Sequence, residues 1–170
     1  VRRAGPAGPA AVLALIAGAA AGAQEFVPGP YFEVLAECYA AAGDGAARRA
    51  CIGRPSGLCA EEEPRGGTTE GMATCAGIEA DAWDVLVEGE FRATVDWART
   101  ADAASPEGFR DRVAANRAAQ DAWETWSVEA CRAEHARRGQ DPMRRVALAR
   151  CRMRMAAERA IGLREMRDAP

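Results

Sequence analysis

The stretch Thr68-Thr69-Glu70-Gly71-Met72-Ala73-Thr74-Cys75-Ala76-Gly77-Ile78-Glu79-Ala80-Asp81-Ala82-Trp83-Asp84-Val85-Leu86-Val87-Glu88-Gly89-Glu90-Phe91-Arg92-Ala93-Thr94-Val95 decides the fold. Ala80, Trp83, Val87, Phe91 and Val95 recur at intervals of three and four and form one apolar stripe, while Asp81, Asp84, Glu88 and Arg92 mark the opposite face. Thr68 or Thr69 can accept a backbone hydrogen bond at the helix start, and Glu70 falls in the first turn, where the helix dipole favours a carboxylate. A long amphipathic helix is expected, giving way to a loop from about Thr100.

Toward the C-terminus, Ser105-Pro106-Glu107 reads as a second helix start, with serine as cap, proline in the first turn and glutamate beside the dipole. Phe109, Val113, Asn116, Gln120, Trp123, Ser127 and Cys131 keep one register until Gly139. A third helix is expected from Asp141-Pro142 to about Arg167, with Leu148, Cys151 and Met155 on one face. Toward the N-terminus, residues 31–42 carry Phe32, Leu35 and Tyr39 at helical spacing and end at Gly43-Asp44-Gly45; residues 46–52 form a short turn. Residues 53–67, with Pro55, Gly57, Pro64, Gly66 and Gly67, read as loop. No alternating apolar run is long enough for a strand. The expected fold is all-α: a small disulfide-stabilised helical bundle with three long helices and a loop-rich N-terminal extension.

Arg2 and Arg3, the apolar run of residues 10–21 and the small residues Ala21-Gly22-Ala23 have the order of a removable signal peptide cut before Gln24. The apolar run is short of the roughly 20 residues that span a bilayer, so no membrane span is expected once it is removed. The organisation expected is a signal peptide at 1–23, an extension with short helices at 24–58 and a helical domain at 59–170, in a periplasmic or secreted protein. Residues 24–102 hold 15 acids and 6 arginines, against 10 acids and 14 arginines in residues 103–170. The acidic half suits a cationic protein partner. Nucleic acid is not expected, for want of a concentrated basic surface interleaved with stacking aromatics.

Six cysteines, at 38, 51, 59, 75, 131 and 151, allow 15 pairings in an exported chain. Cys131 and Cys151 lie on consecutive antiparallel helices and are expected to meet across that hairpin. With no CxxC and a single His135, which is read as a solvated surface residue, neither a metal nor another cofactor is expected.

Cys59, the run Thr68 to Cys75, Glu79, Trp83-Asp84, Val87 and Phe91 resemble the N-terminal domain of LprI-like lysozyme inhibitors, whose pattern runs from a Cys through a Thr-containing turn into Met-x-x-Cys and then Asp-x-x-Leu-Asn-x-x-Tyr. Gln120-x-x-Trp123, Cys131, Cys151 and Arg159-x-x-x-Leu163 resemble that family's second half. The chain departs from the pattern at Val87-Glu88, at Phe91 and at residues 126–129, where Leu-Asn, Tyr and Arg-Asp are usual. The resemblance covers residues 59 to about 163. It implies pairing of Cys59 with Cys75, and with it of Cys38 with Cys51. It also implies a non-catalytic protein whose partner is lysozyme or another cationic envelope protein.

Glu61, Glu62, Glu63, Thr68, Thr69 and Glu70 are the candidate partner-binding residues, the carboxylates steering a basic partner and the threonines making loop contacts. Asn116 and Gln120 interrupt an apolar stripe, so they need hydrogen-bond partners, and Arg159 is the expected donor; the three are read as a structural polar core. Trp83 and Trp123 are read as packing, Trp97 and Trp126 as surface residues. The alternatives to an inhibitor are an envelope helical module for another protein or small ligand, and an enzyme acting on cell-wall glycan. For the last, no nucleophile, metal set or carboxylate pair stands out.

Overall fold

The computed structural model describes Gly29 and residues 31–169; the expected signal peptide and its cleavage point lie outside them. The helices are α1 (Phe32–Ala41), α2 (Gly45–Arg49), α3 (Arg54–Glu62), α4 (Thr69–Ala103), α5 (Arg112–Arg137) and α6 (Arg144–Asp168). No strand occurs among the described residues. The all-α class with three long helices is the one the periodicity indicated.

α4 and α6 form the spine. They run parallel, as contacts spaced along both helices show: Thr69 Oγ1 with Met143 Sδ at 3.9 Å, Arg152 with Asp81 at 3.4 Å, and Thr94 Oγ1 donating to the carbonyl of Leu163 at 3.4 Å. Buried Ala80, Ala156, Ala157 and Ala160 lie in their shared core, where small side chains let the backbones approach. Trp83, Ile161, Leu163 and Leu35 of α1 are completely buried beside them. The Tyr39 hydroxyl reaches the carbonyl of Ala160 at 3.3 Å, and burial pushes its phenol well above the ordinary tyrosine range. α1 therefore shares the main core with α4 and α6. Arg49 of α2 ties to α6 through Glu158 and Glu165, and Arg48 through Asp168.

Among these apolar groups sits a buried ion pair between Arg167 of α6 and Glu90 of α4. The same guanidinium donates to Thr94 Oγ1 and to the carbonyl of Glu90, both at 2.8 Å. A guanidinium this enclosed is tolerable because its donors find acceptors.

Four expectations about where the helices lie need correction. Residues 54–62 are helix rather than loop, for a reason given below. α4 continues past Thr100 to Ala103. Ser105-Pro106-Glu107 opens only a single 3-10 turn, Glu107–Phe109, and α5 begins at Arg112, because the carboxylate of Asp102 accepts from the backbone N–H of Arg112 at 3.3 Å and of Val113 at 3.2 Å. α6 begins at Arg144, two residues after Pro142. The stripe on α5 has the expected register but is shallow. Only Gln120 and Cys131 are buried on that helix, Trp123 is half-buried, and Phe109 lies outside it at 68% exposure. α5 covers one side of the α4–α6 pair, and among the described residues nothing covers the outer face of α5. His135 is half-buried rather than fully solvated.

Candidate partner-binding end of the bundle

α3 is held by a side chain that it does not own. Its N-cap residue, Gly53, is left-handed at φ 92° and has no side chain to cap with. Glu79, in α4 and fully buried, supplies the missing acceptors: Oε1 accepts from Gly53 N at 2.7 Å and Oε2 from Ser56 N at 2.9 Å. Trp83 Nε1 donates to the same carboxylate at 3.0 Å. A negative group at a helix N-terminus meets both the unpaired N–H groups and the positive end of the dipole. Pro55 in the first turn needs no N–H partner. These features turn a Pro/Gly-rich segment into helix.

α3 runs antiparallel to the start of α4 and is bonded to it by Cys59–Cys75. Tyr31 packs on that disulfide, and burial, with the carboxylates of Glu62 and Glu63 nearby, raises its phenol above the ordinary value. The connection is tight. A β-carbon on Gly66 would lie 2.2 Å from the carbonyl oxygen of Ala60, and one on Gly71 would lie 1.9 Å from that of Arg65. Thr68 caps α4, its hydroxyl accepting from Gly71 N at 3.0 Å and donating to the carbonyl of Arg65 at 2.7 Å. Thr69 is half-buried against Met143. The two threonines thus serve the turn itself.

Glu61 and Glu62 end α3 and Glu63 is its C-cap; all three are exposed, and no ion pair reaches them among the described residues. Glu70 is exposed too, 3.5 Å from Arg65. Three carboxylates at the negative end of a helix are opposed by its dipole, and the polar group beside two of them, Glu62 and Glu63, is the Tyr31 hydroxyl. Beside them, Glu63, Pro64, Arg65, Gly66, Glu70 and Thr74 border an open cavity of about 360 Å³.

On the other side of α4, Arg159 Nε donates to Gln120 Oε1 at 2.9 Å, and Gln120 Nε2 donates to Glu124 at 3.1 Å. Asn116 does not join them; it bonds the carbonyl of Arg112, one turn back on its own helix, at 2.9 Å. The Arg159 guanidinium lies 5.7 Å from the Trp123 ring centre, and burial lowers its pKa. Beyond Trp123 opens a cavity of about 380 Å³ walled by Val128, Leu148 and Met155, with Asp84 and Arg152 at its side. Burial raises the Asp84 carboxyl above its ordinary value, against the pull of Arg152.

The cysteines pair as Cys38–Cys51, Cys59–Cys75 and Cys131–Cys151. Sequence reading passed over the roles of Glu79, Glu90 and Asp102. The available signal was a carboxylate on or beside an apolar stripe, four residues before Trp83 in one case and four before Thr94 in another.

A family model described as "Lysozyme inhibitor LprI" matches residues 59–163. No curated protein and no solved structure matches the chain. The matched region begins inside α3, takes in Glu79 and two of the three disulfides, and ends near the close of α6.

Proposed function

The chain belongs to the lysozyme inhibitor LprI family, and from that premise we propose that it is an exported, non-catalytic protein that binds and inhibits a lysozyme. The three disulfides suit an oxidising compartment, and no helix among the described residues is long and apolar enough to cross a membrane. The observation that carries the reading is the acidic end of α3. Glu61, Glu62, Glu63 and Glu70 are exposed beside a cavity, and three of them stand where the helix dipole opposes them. Lysozymes are basic, so such a patch accelerates encounter, while the rigid α3–α4 turn offers the surface that is held. In this reading the domain at 59–170 binds, and residues 31–58 of the extension brace it through the core that they share.

The test is a bacterial-lysis turbidity assay with purified protein, followed by binding kinetics. The protein is expected to slow lysis. Replacing Glu61, Glu62, Glu63 and Glu70 together by Gln is expected to lower the on-rate at low salt about tenfold and to flatten its salt dependence. A protein that leaves lysis untouched, or a variant whose on-rate is unchanged, defeats the proposal.

A second reading is favoured by one feature, the cavity beside Trp123. Its volume of about 380 Å³ and its walls of Trp123, Leu148 and Met155 suit a small apolar ligand. Saturable quenching of tryptophan fluorescence by such a ligand, with no effect on lysis, would favour an envelope binding module instead.

A further inference from the structure

The tip of the α5–α6 hairpin has no role in the reading above. Residues 131–154 hold eight arginines against two carboxylates, Glu134 and Asp141. Glu134 takes Arg137 and Arg138, and Asp141 takes Arg138. Arg132 pairs with Glu129, and Arg152 with Asp81 and Asp84. Arg145, Arg150 and Arg154 are exposed and form no ion pair or hydrogen bond among the described residues.

Two features indicate that the fold gains nothing from this charge. Arg145 stands in the first turn of α6, which holds no acid, so the helix dipole disfavours its charge, with only Asp141 ahead of the helix to offset it. Arg150 and Arg154 stand one turn apart on the same helix, a spacing at which like charges repel. Cys131–Cys151 crosslinks the hairpin just inside the tip and keeps its two charged arms from spreading apart.

We propose that this basic tip docks the protein on an anionic phospholipid surface. Arg145 and Arg152 line the open groove between α4 and α6, with Glu70 across it on α4, whereas Arg150, Arg154 and Arg138 border a shallow hollow of about 190 Å³ between α5 and α6 that also holds Glu134. The charge therefore spreads over more than one side of the tip and does not converge on a single cleft, which suits a sheet of repeated negative charges better than one bound anion. No Phe, Tyr or Trp stands within residues 132–154 to stack on bases. Adsorption would be peripheral and electrostatic, with each arginine near the surface strengthening partitioning about fivefold and salt weakening it.

The experiment is co-sedimentation with vesicles of equal parts phosphatidylglycerol and phosphatidylcholine, set against pure phosphatidylcholine. The protein is expected to bind only the anionic vesicles and to leave them as salt rises to about 0.5 M. R145Q/R150Q/R154Q, which removes no observed contact, is expected to weaken binding about 100-fold while its circular dichroism is unchanged. R92Q/R99Q, which removes two arginines from α4 instead, should leave binding within about twofold. Failure to bind anionic vesicles at low salt overturns the proposal, as does equal weakening by the two variants. Binding to soluble polyphosphate without binding to vesicles also overturns it, and assigns the tip to a polymer. None of these readouts involves lysozyme.

Discussion

Glu79 caps a helix to which it does not belong: its carboxylate accepts the backbone N–H of Ser56 at 2.9 Å from 23 residues further along the chain. The other oxygen takes Gly53 N and the Trp83 indole. Replacement by Ala strands three donors, at least one of them deep in the core. The expected loss is about 3 kcal/mol or more by urea denaturation. Gln, which keeps one good acceptor, should fall between Ala and wild type. A loss for Ala under about 0.5 kcal/mol would mean that α3 does not depend on this carboxylate.

Asp102 does for α5 what Glu79 does for α3. Burial opposes its ionisation, but the backbone N–H of Val113 and the Arg112 side chain and N–H outweigh that and hold its carboxyl below the ordinary value. Because the folded pKa is depressed, the stabilisation is complete above the unfolded value, about 4, and disappears as pH falls through the lower folded value. D102N should melt at a lower temperature than wild type at neutral pH. The two curves should converge as pH falls from about 4 through the lower folded value. Parallel curves across that range would contradict the assignment.

Gly66 and Gly67 are neighbours with opposite demands. A β-carbon at Gly66 would strike the backbone of Ala60, which cannot swing aside, whereas one at Gly67 would meet nothing within 4 Å. G66A is therefore expected to destabilise by about 2 kcal/mol, and G67A to stay within about 0.5 kcal/mol of wild type. Equal effects in thermal melting would place the turn differently.

Arg167 and Glu90 form the most enclosed ion pair between α4 and α6, each side chain about 12% exposed. R167M leaves the Glu90 carboxylate without its cation and should cost about 3 kcal/mol, whereas E90L/R167M should recover most of that. If the double variant is less stable than either single one, the pair contributes more than apolar packing would.

The apolar stripe through Trp83 and Val87 made α4 legible in the sequence, and Thr68 marked its start, because both signals act within a few residues. α3 was not legible. Pro55, Gly53 and Gly57 disfavour helix locally, and the carboxylate that overrides them arrives from the next element. The register of α5 was readable, but its burial depends on what lies over it, which no periodicity records. Arg167 could be matched with Glu90 only by knowing that α4 and α6 run parallel, across 77 residues of chain. At the candidate site the run of three glutamates was plain, whereas their position at the end of a helix followed from the unread α3.

Each disulfide joins a cysteine to the next cysteine in the chain, with separations of 13, 16 and 20 residues and no interleaving. Of the 15 possible connectivities, this is the one that a chain emerging amino-terminus first reaches by pairing each new thiol with the last one still free. The order of appearance is itself the wiring diagram. An oxidase that acts promptly needs no isomerase to correct it, and the hazard lies in delay: a reducing pause that exposes all six thiols together opens 14 wrong answers.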